Sequence, residues 1–352
     1  MVGKRNHLIN RRQFLKTTAA TAAAFGLGTG TTAAEFEAEM EVLEDPVDLT
    51  AMVFTHFDLE YSWFWDANYN FDKVVEVPGA NTGVYVDEDE EIGATVTGMG
   101  HALCGPSVAS ILASPQLELD DTFFVSAGIS GTPPDVGTLG SVFIGDHVVA
   151  WDYAHRWAQE DSANASFNKK KGKGKGQEDN YALIAEPFSG FKYSYDLNSD
   201  LVSKAYGMTQ GMDLVPTSDT TTMEDYRSNY PEKTARSDPF VGIGTTVSSE
   251  EYWHGETFSD QAQYISDVAG AGRYATTEME DFATASALER YGYLDRYLSI
   301  RSVSNFDQPY PGQTVRESLN ANSGGFVPSL ESVYRVGSTL VDDMVKNPSD
   351  WE

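Results

Sequence analysis

The segment from Thr277 to Gly312 carries a carboxylate, Glu280, at the end of one strand-like run and a polar Asn305 just past a second. A helical stretch separates the two. A strand–helix–strand unit of about thirty residues brings both groups to the carboxyl edge of one parallel sheet, where open α/β proteins bind ligands. Upstream, Val96 to Ile111 follows a strand, carries Gly98, Gly100 and Gly105, and opens a helix. Glycines let backbone amides approach a ligand, and a helix N-terminus favours an anion or a sugar oxygen. Gly128 and Gly131 mark a second turn of this kind after the next strand. By residue type alone, Glu280 reads as an acid placed in the first turn of a helix by the dipole, and Tyr252 and Trp253 read as core aromatics. His254 reads as an exposed loop histidine, and Glu60 is one acid among many.

The elements that must position these groups alternate. Short apolar runs at Ala51–His56, Gly93–Gly98, Thr122–Ala127, Ser141–Val149, Phe240–Thr246, Tyr274–Met279 and Tyr297–Val303 read as strands. Between them, Ser107–Ala113, Ser199–Met208, Ser259–Val268, Asp281–Tyr293 and Leu330–Val345 have helical spacing. That alternation predicts α/β architecture in one large domain over residues 49–352, behind an acidic linker at 35–48 that lacks periodicity. Between Ser162 and Asn180 glycine and lysine alternate, which predicts a flexible surface loop; it includes a glycosylation sequon at Asn164.

Charge limits the partners. The chain has 53 acidic and 24 basic residues and a formal charge of −29. Five of the basic residues lie in the first 34, which hold no Asp or Glu, so the remainder carries 19 against 53, a net −34. Such a chain repels nucleic acid and suits a salt-rich solvent that screens its surface. The basic residues at the front include the twin arginines Arg11 and Arg12, followed by Phe14, Leu15 and Lys16 and an Ala/Thr/Gly stretch to Ala34. Residues 1–34 therefore look like a twin-arginine export signal, predicting an extracellular or surface-associated protein after cleavage. Apart from this stretch, nothing approaches the twenty apolar residues needed to span a bilayer. Cys104 is the only cysteine, so no intramolecular disulfide exists, and no His/Cys cluster has metal-ligand spacing. Neither a metal nor another cofactor is implied.

Taken together, the Met279-Glu280 pair, the segment Arg301 to Gly312, the paired glycine turns and the aromatic loop after Thr246 resemble the purine nucleoside permease-type family within the nucleoside phosphorylase-like superfamily. The resemblance covers the chain from about Leu49 to Val345. It implies a three-layer α/β sandwich with a twisted mixed central sheet flanked by helices. It also implies site residues: Gly128 and Gly131 beneath base and ribose, Tyr252 stacked on a purine, and Trp253 and His254 beside it. Met279 would pack on the ribose while Glu280 accepts hydrogen bonds from its hydroxyls. Where the family usually has an aspartate able to protonate the leaving purine, this chain has Asn305. An amide can hydrogen-bond N7 and a 6-oxo group but cannot give up a proton, which leaves Asp307 as the fallback acid.

Ser126 and Ile129 stand where phosphorylases of this fold place an arginine and a hydroxyl, and Glu60 falls where hydrolytic relatives keep a water-activating carboxylate. The resemblance thus implies purine nucleoside as ligand. It favours an exported purine-nucleoside-binding protein that serves nucleoside uptake and cleaves the N-glycosidic bond with water rather than phosphate; the alternatives are binding without catalysis on behalf of a membrane transporter, or phosphorolysis with arginines such as Arg273 or Arg301. Phosphate, a second copy of the chain and a separate transporter are the corresponding partners.

Overall fold

The computed structural model describes residues 46–352 except 90, 157–182, 185–191 and 219. The export signal, most of the acidic linker and the lysine-rich loop with its sequon therefore lie outside the described residues. The last part of the expected linker is not solvated: Val47–Asp48 forms strand β1, paired with β6 (Leu117–Glu118), and Val47 is buried.

All seven expected strands are present. They are β2 (Ala51–Thr55), β5 (Ile92–Val96), β7 (Phe123–Thr132), β8 (Val142–Ala150), β12 (Val241–Ser248), β13 (Tyr274–Glu278) and β14 (Tyr297–Phe306). The short strands β3 (Lys73–Val75), β4 (Val84–Asp87) and β11 (Ser194–Asp196) extend the same ten-stranded sheet. A separate hairpin pairs β9 (His155–Arg156) with β10 (Leu183–Ile184). Strands β2 and β5 are buried along their whole length, which is why they read as continuous apolar runs rather than alternating ones.

The sheet is mixed and closes on itself. β14 pairs in parallel with β7 and antiparallel with β8; β8, β12 and β13 are mutually parallel, and β13 returns to β7 through one antiparallel bridge, Thr277 to Gly131. This corrects the expectation that β13 and β14 belong to one parallel sheet: they run in opposite senses on either side of β7. Their carboxyl ends meet nonetheless, because both cross Gly131. A Cβ there would stand 2.7 Å from the Thr277 Oγ1 and 3.1 Å from the Asn305 Nδ2, so glycine permits the close approach. The segment 128–131, expected as a loop, is the continuing strand β7.

The expected helices also form. The first, α1 (His101–Ala113), starts six residues before the predicted Ser107, with Pro106 inside it. Side chains elsewhere in the chain satisfy its early N–H groups: Glu250 accepts from His101 and Ala102, and Glu280 from Gly100. Next come α2 (Ser199–Thr209), α3 (Thr221–Arg227), α4 (Glu256–Ala269), α5 (Asp281–Tyr291), α6 (Val315–Leu319) and α7 (Phe326–Lys346). Helix α5 stops two residues short of the prediction because Gly292 takes the left-handed conformation (φ 85°) that ends it.

Helix α7 carries its apolar face, including Leu330, Val333, Leu340 and Met344, onto β14, β7 and β2. Gly337 on that face sits against the Trp65 ring. Since Leu340 is wholly buried there, Leu340→Ala is expected to lower unfolding free energy by about 2–5 kcal/mol, checked by denaturant titration.

Candidate functional site

The carboxyl ends of β2, β7, β12, β13 and β14 surround a cavity of about 150 Å3. Its wall includes His56, Phe57 and Glu60 after β2, Ile129 to Gly131 of β7, and Tyr252 after β12. Thr277 to Glu280 and Ser304 with Asn305 complete one side, and Met99 stands at the glycine turn. An annex of about 30 Å3 shares Gly131, Tyr252, Met279 and Asn305 with it and adds Glu251 and Trp253. Tyr252 is 61% exposed, so its ring is available as a wall of the mouth rather than packed in the core.

Glu280 is buried at the N-terminus of α5. Its Oε1 accepts from the Gly100 N–H at 3.0 Å and its Oε2 from Arg301 Nη1 at 3.1 Å. These two donors fix the plane of the carboxylate and leave acceptor capacity on both oxygens. Met279 beside it is half-buried and lines the cavity. On the opposite side, Glu60 lies in the first of three short helical pieces, Asp58–Glu60, Tyr61–Trp65 and Asp66–Asn68, and is buried rather than a surface acid. Its Oε1 accepts from the Ile129 N–H at 2.8 Å and its Oε2 from the His56 N–H at 2.6 Å. Burial pushes the Glu60 carboxyl up to about 8, against the pull of Arg301 and of those two amides.

Beneath the cavity lies a buried charge cluster that the sequence reading did not assemble. Arg301 reaches Asp281 through Nε (3.1 Å) and Nη2 (2.5 Å), Glu280 through Nη1, and the neutral His56 ring at 3.0 Å. Its Nη2 also stands 3.1 Å from Glu278 Oε2. Glu278 in turn accepts from the N–H groups of Glu280 (2.6 Å) and Asp281 (2.8 Å), so its side chain caps α5. Burial raises Glu278 to about 8, with the Asp281 charge adding to the effect. Asp281 is also penalised by burial, but the Arg301 charge and hydrogen bonds from Arg301 and Ser299 outweigh it and lower Asp281 to about 2. Burial and then the Arg301 charge hold His56 down at about 4. Because Nε2 of His56 faces the guanidinium, the ring proton sits on Nδ1 and points at Thr97 Oγ1, 2.8 Å away.

The remaining expected residues separate. Gly128 does not line the cavity; a Cβ there would lie 2.7 Å from Arg301 Nη1 and 2.9 Å from Glu60 Oε1, so it makes room for the cluster. Asn305 lines both cavity and annex, its Oδ1 accepting from Ser304 Oγ and its Nδ2 turned to the Phe306 carbonyl. Trp253 reaches only the annex and stacks on Trp151 at 5.2 Å. His254, expected in an exposed loop, is buried, with Nε2 bonded to Ser318 of α6 at 2.9 Å.

Asp307 is buried outside the cavity wall, where its Oδ2 accepts from the Tyr274 hydroxyl at 3.0 Å and burial lifts it to about 7. Arg273 pairs with Asp135 at the far end of β13, and Ser126 donates to Asp281 within the cluster. His56, Glu278 and Asp281 went unrecognised because nothing in linear spacing shows that Thr55-His56 and Glu278 to Asp281 converge on one arginine. Three acids within the four residues 278–281, just ahead of a strand with a lone buried arginine, were the available signal.

A family model described as purine nucleoside permease (NUP) matches residues 48–352. The chain belongs to the purine nucleoside permease family. A model of the twin-arginine translocation pathway signal matches residues 8–28. Family relatives include a probable purine nucleoside permease of Schizosaccharomyces pombe, 27% identical over 317 residues that cover 85% of this chain and 90% of the relative. A purine nucleoside permease of Candida albicans is 25% identical over 309 residues, 84% of this chain and 75% of that one.

Among solved structures, futalosine hydrolase of Helicobacter pylori superposes with a TM-score of 0.52 at 10% identity, covering 84% of this chain and 98% of its own. The 5′-methylthioadenosine/S-adenosylhomocysteine nucleosidase of Colwellia psychrerythraea, in complex with adenine, gives 0.52 at 14%, covering 86% and 96%. These structures establish that this permease family member has the expected nucleoside phosphorylase-like fold, a mixed central sheet flanked by helices. Among the described residues no helix is long and apolar enough to cross a membrane.

The cluster sets a direction for stability against pH. Glu60 and Glu278, raised to about 8, keep protons in the folded state that the unfolded chain has already released. The stability they contribute is therefore lost as pH rises through about 8. His56, held low, adds no slope above its ordinary value of 6.5. The Tm is expected to fall between pH 6.5 and 9, with a shallower fall in Glu278→Gln; a Tm that climbs across this range would contradict the raised carboxyls.

Proposed function

We propose that this permease family member is an exported purine-nucleoside-binding protein that serves nucleoside uptake and cleaves the N-glycosidic bond with water. One observation carries this reading: the cavity joins Glu60, Glu280, Met279, Tyr252 and Asn305 in a wall that includes neither lysine nor arginine. Arg301, the nearest guanidinium behind that wall, is engaged by carboxylates. Phosphorolysis needs a cationic cradle for phosphate, whereas a nucleoside needs acceptors for its hydroxyls and a face for its base. The solved neighbours named above include a hydrolase and a nucleosidase, which supports the same reaction class.

In this mechanism Glu280 accepts from the ribose 2′- and 3′-hydroxyls, Met279 packs on the sugar and Tyr252 stacks on the purine. A base–aromatic stack contributes roughly 1–3 kcal/mol. As the C1′–N9 bond breaks and the purine leaves with the bonding pair, the sugar gains oxocarbenium character and water attacks C1′. Glu60 takes the proton from that water. The Asn305 amide donates a hydrogen bond to N7 of the leaving base without surrendering a proton, which favours 6-oxopurines. After removal of the signal at 1–34, the protein acts outside the cell or at its surface, and uptake proceeds through a separate membrane transporter. Its acidic surface suits high salt. Binding without catalysis is a second reading, favoured by Asn305 standing where an acid is needed.

Purified protein incubated with inosine, guanosine or adenosine in high salt, with and without phosphate, separates the readings. Free base without phosphate is the expected result; ribose 1-phosphate would instead assign phosphorolysis, and bound nucleoside with no base released the carrier role. The elution volume of the same protein reports whether two copies associate. Because Glu60 must be ionised to accept a proton and lies at about 8, the rate is expected to rise with pH and level off above 8. Glu60→Gln is expected to lower kcat by about 10²–10⁴-fold while nucleoside still binds.

A further inference from the structure

Asp281 is completely buried, lies outside the cavity wall, and holds more hydrogen bonds than any role in capping a helix requires. Its Oδ1 accepts from Ser126 Oγ (2.8 Å), Tyr297 Oη (3.0 Å) and Arg301 Nη2 (2.5 Å). Its Oδ2 accepts from Ser299 Oγ (2.5 Å) and Arg301 Nε (3.1 Å). Three hydroxyls from β7 and β14 thus anchor one carboxylate, and that carboxylate grips the guanidinium on its Nε edge. The opposite edge of the same planar group, Nη1, is what reaches Glu280 Oε2. A guanidinium is rigid, so fixing one edge fixes where the other points.

We infer that Asp281 is a positioning residue for sugar recognition: by locking Arg301 from behind, it sets the plane of the Glu280 carboxylate that faces the cavity. The inference rests on the proposed nucleoside site and names what gives that site its aim. The guanidinium has other places to go, because Glu278 Oε2 lies 3.1 Å from Nη2 and the Ile129 carbonyl 3.4 Å from Nη1. Without Asp281, Arg301 turns toward these groups and Glu280 keeps only the Gly100 N–H to orient it. The loss should fall on the two cis hydroxyls, whose joint recognition depends on the carboxylate plane, and spare the base, which is held by Tyr252 and Asn305.

The test uses as parent the mature protein with Glu60→Gln throughout, so that nucleoside binds without rapid cleavage, and two probes, inosine and 2′,3′-dideoxyinosine, with affinities measured by calorimetry. The parent is expected to prefer inosine by roughly tenfold or more, the value of a hydrogen bond to a charged group. Glu280→Gln is expected to erase most of that preference. If the parent shows no preference, the nucleoside-site reading itself fails. Given those controls, Asp281→Asn is expected to reduce the preference about as far as Glu280→Gln while leaving dideoxyinosine affinity within about twofold, within the usual spread for an unperturbed contact. An Asp281→Asn protein that keeps the full preference overturns the inference, as does one that loses both ligands equally, since that marks general loosening.

Removing one member of a buried ion pair destabilises strongly, so Ser299→Ala provides the second arm. It keeps every charge and removes one hydroxyl anchoring Asp281. A partial, hydroxyl-selective loss supports the positioning role, and an unchanged preference overturns it even if Asp281→Asn does not fold.

Discussion

The site depends on one buried guanidinium. Arg301 sits at the centre of β14, and its registered neighbour on β7 is Gly128, the position at which any side chain would collide with Arg301, Glu60 and His56. An arginine cannot shed its proton to escape burial, so the groups around it adjust instead. Four carboxyl groups face it or its immediate partners: Glu60, Glu278, Glu280 and Asp281. Asp281 is drawn down because the guanidinium and its hydrogen bonds outweigh burial, while burial pushes Glu60 and Glu278 up and the pull of Arg301 offsets that only in part. Burial and the guanidinium together thus set which acid beneath the cavity is an anion and which carries a proton.

Sequence periodicity located the strands because their apolar runs are short, bounded and mostly buried on both faces. Element ends were missed where the deciding contacts are distant. The helix was expected only from Ser107, yet Glu250 and Glu280, far along the chain, supply the acceptors that let α1 begin at His101. The parallel pairing expected of β13 and β14 followed from the helix between them, but barrel closure at the Thr277–Gly131 bridge sends the two strands in opposite senses. That Glu280, Met279, Tyr252 and Asn305 would stand together was implied by the family resemblance, not by residue type, and the four do line one cavity. His56 and Asp281 were not legible: a histidine and an aspartate acquire their meaning only when β2 and β14 are laid on either side of β7.

The glycine turn before α1 illustrates how a feature that suggests a phosphate cradle can serve otherwise. Its free N–H groups and the dipole of α1 call for an anion. Glu250 and Glu280 provide it from within the chain, just as Glu278 does at α5. Donors that would meet an external phosphate are thus spent on side chains, and what they leave facing the cavity is the acceptor side of Glu280.

Two kinds of electrostatics coexist in this chain and respond differently to solvent. Beyond residue 34 the acids outnumber the bases by 53 to 19, mostly outside the Arg301 cluster, and where the Debye length in concentrated salt shrinks to a few ångströms their mutual repulsion fades. Arg301 and Asp281 are sealed from water, and counterions cannot enter to screen them, whereas Glu60, Glu278 and Glu280 meet the cavity on one side. Salt therefore acts on repulsion across the acidic shell, while proton balance within the cluster sets how the cavity is charged: at constant salt, pH near 8 shifts the charge of Glu60 and Glu278.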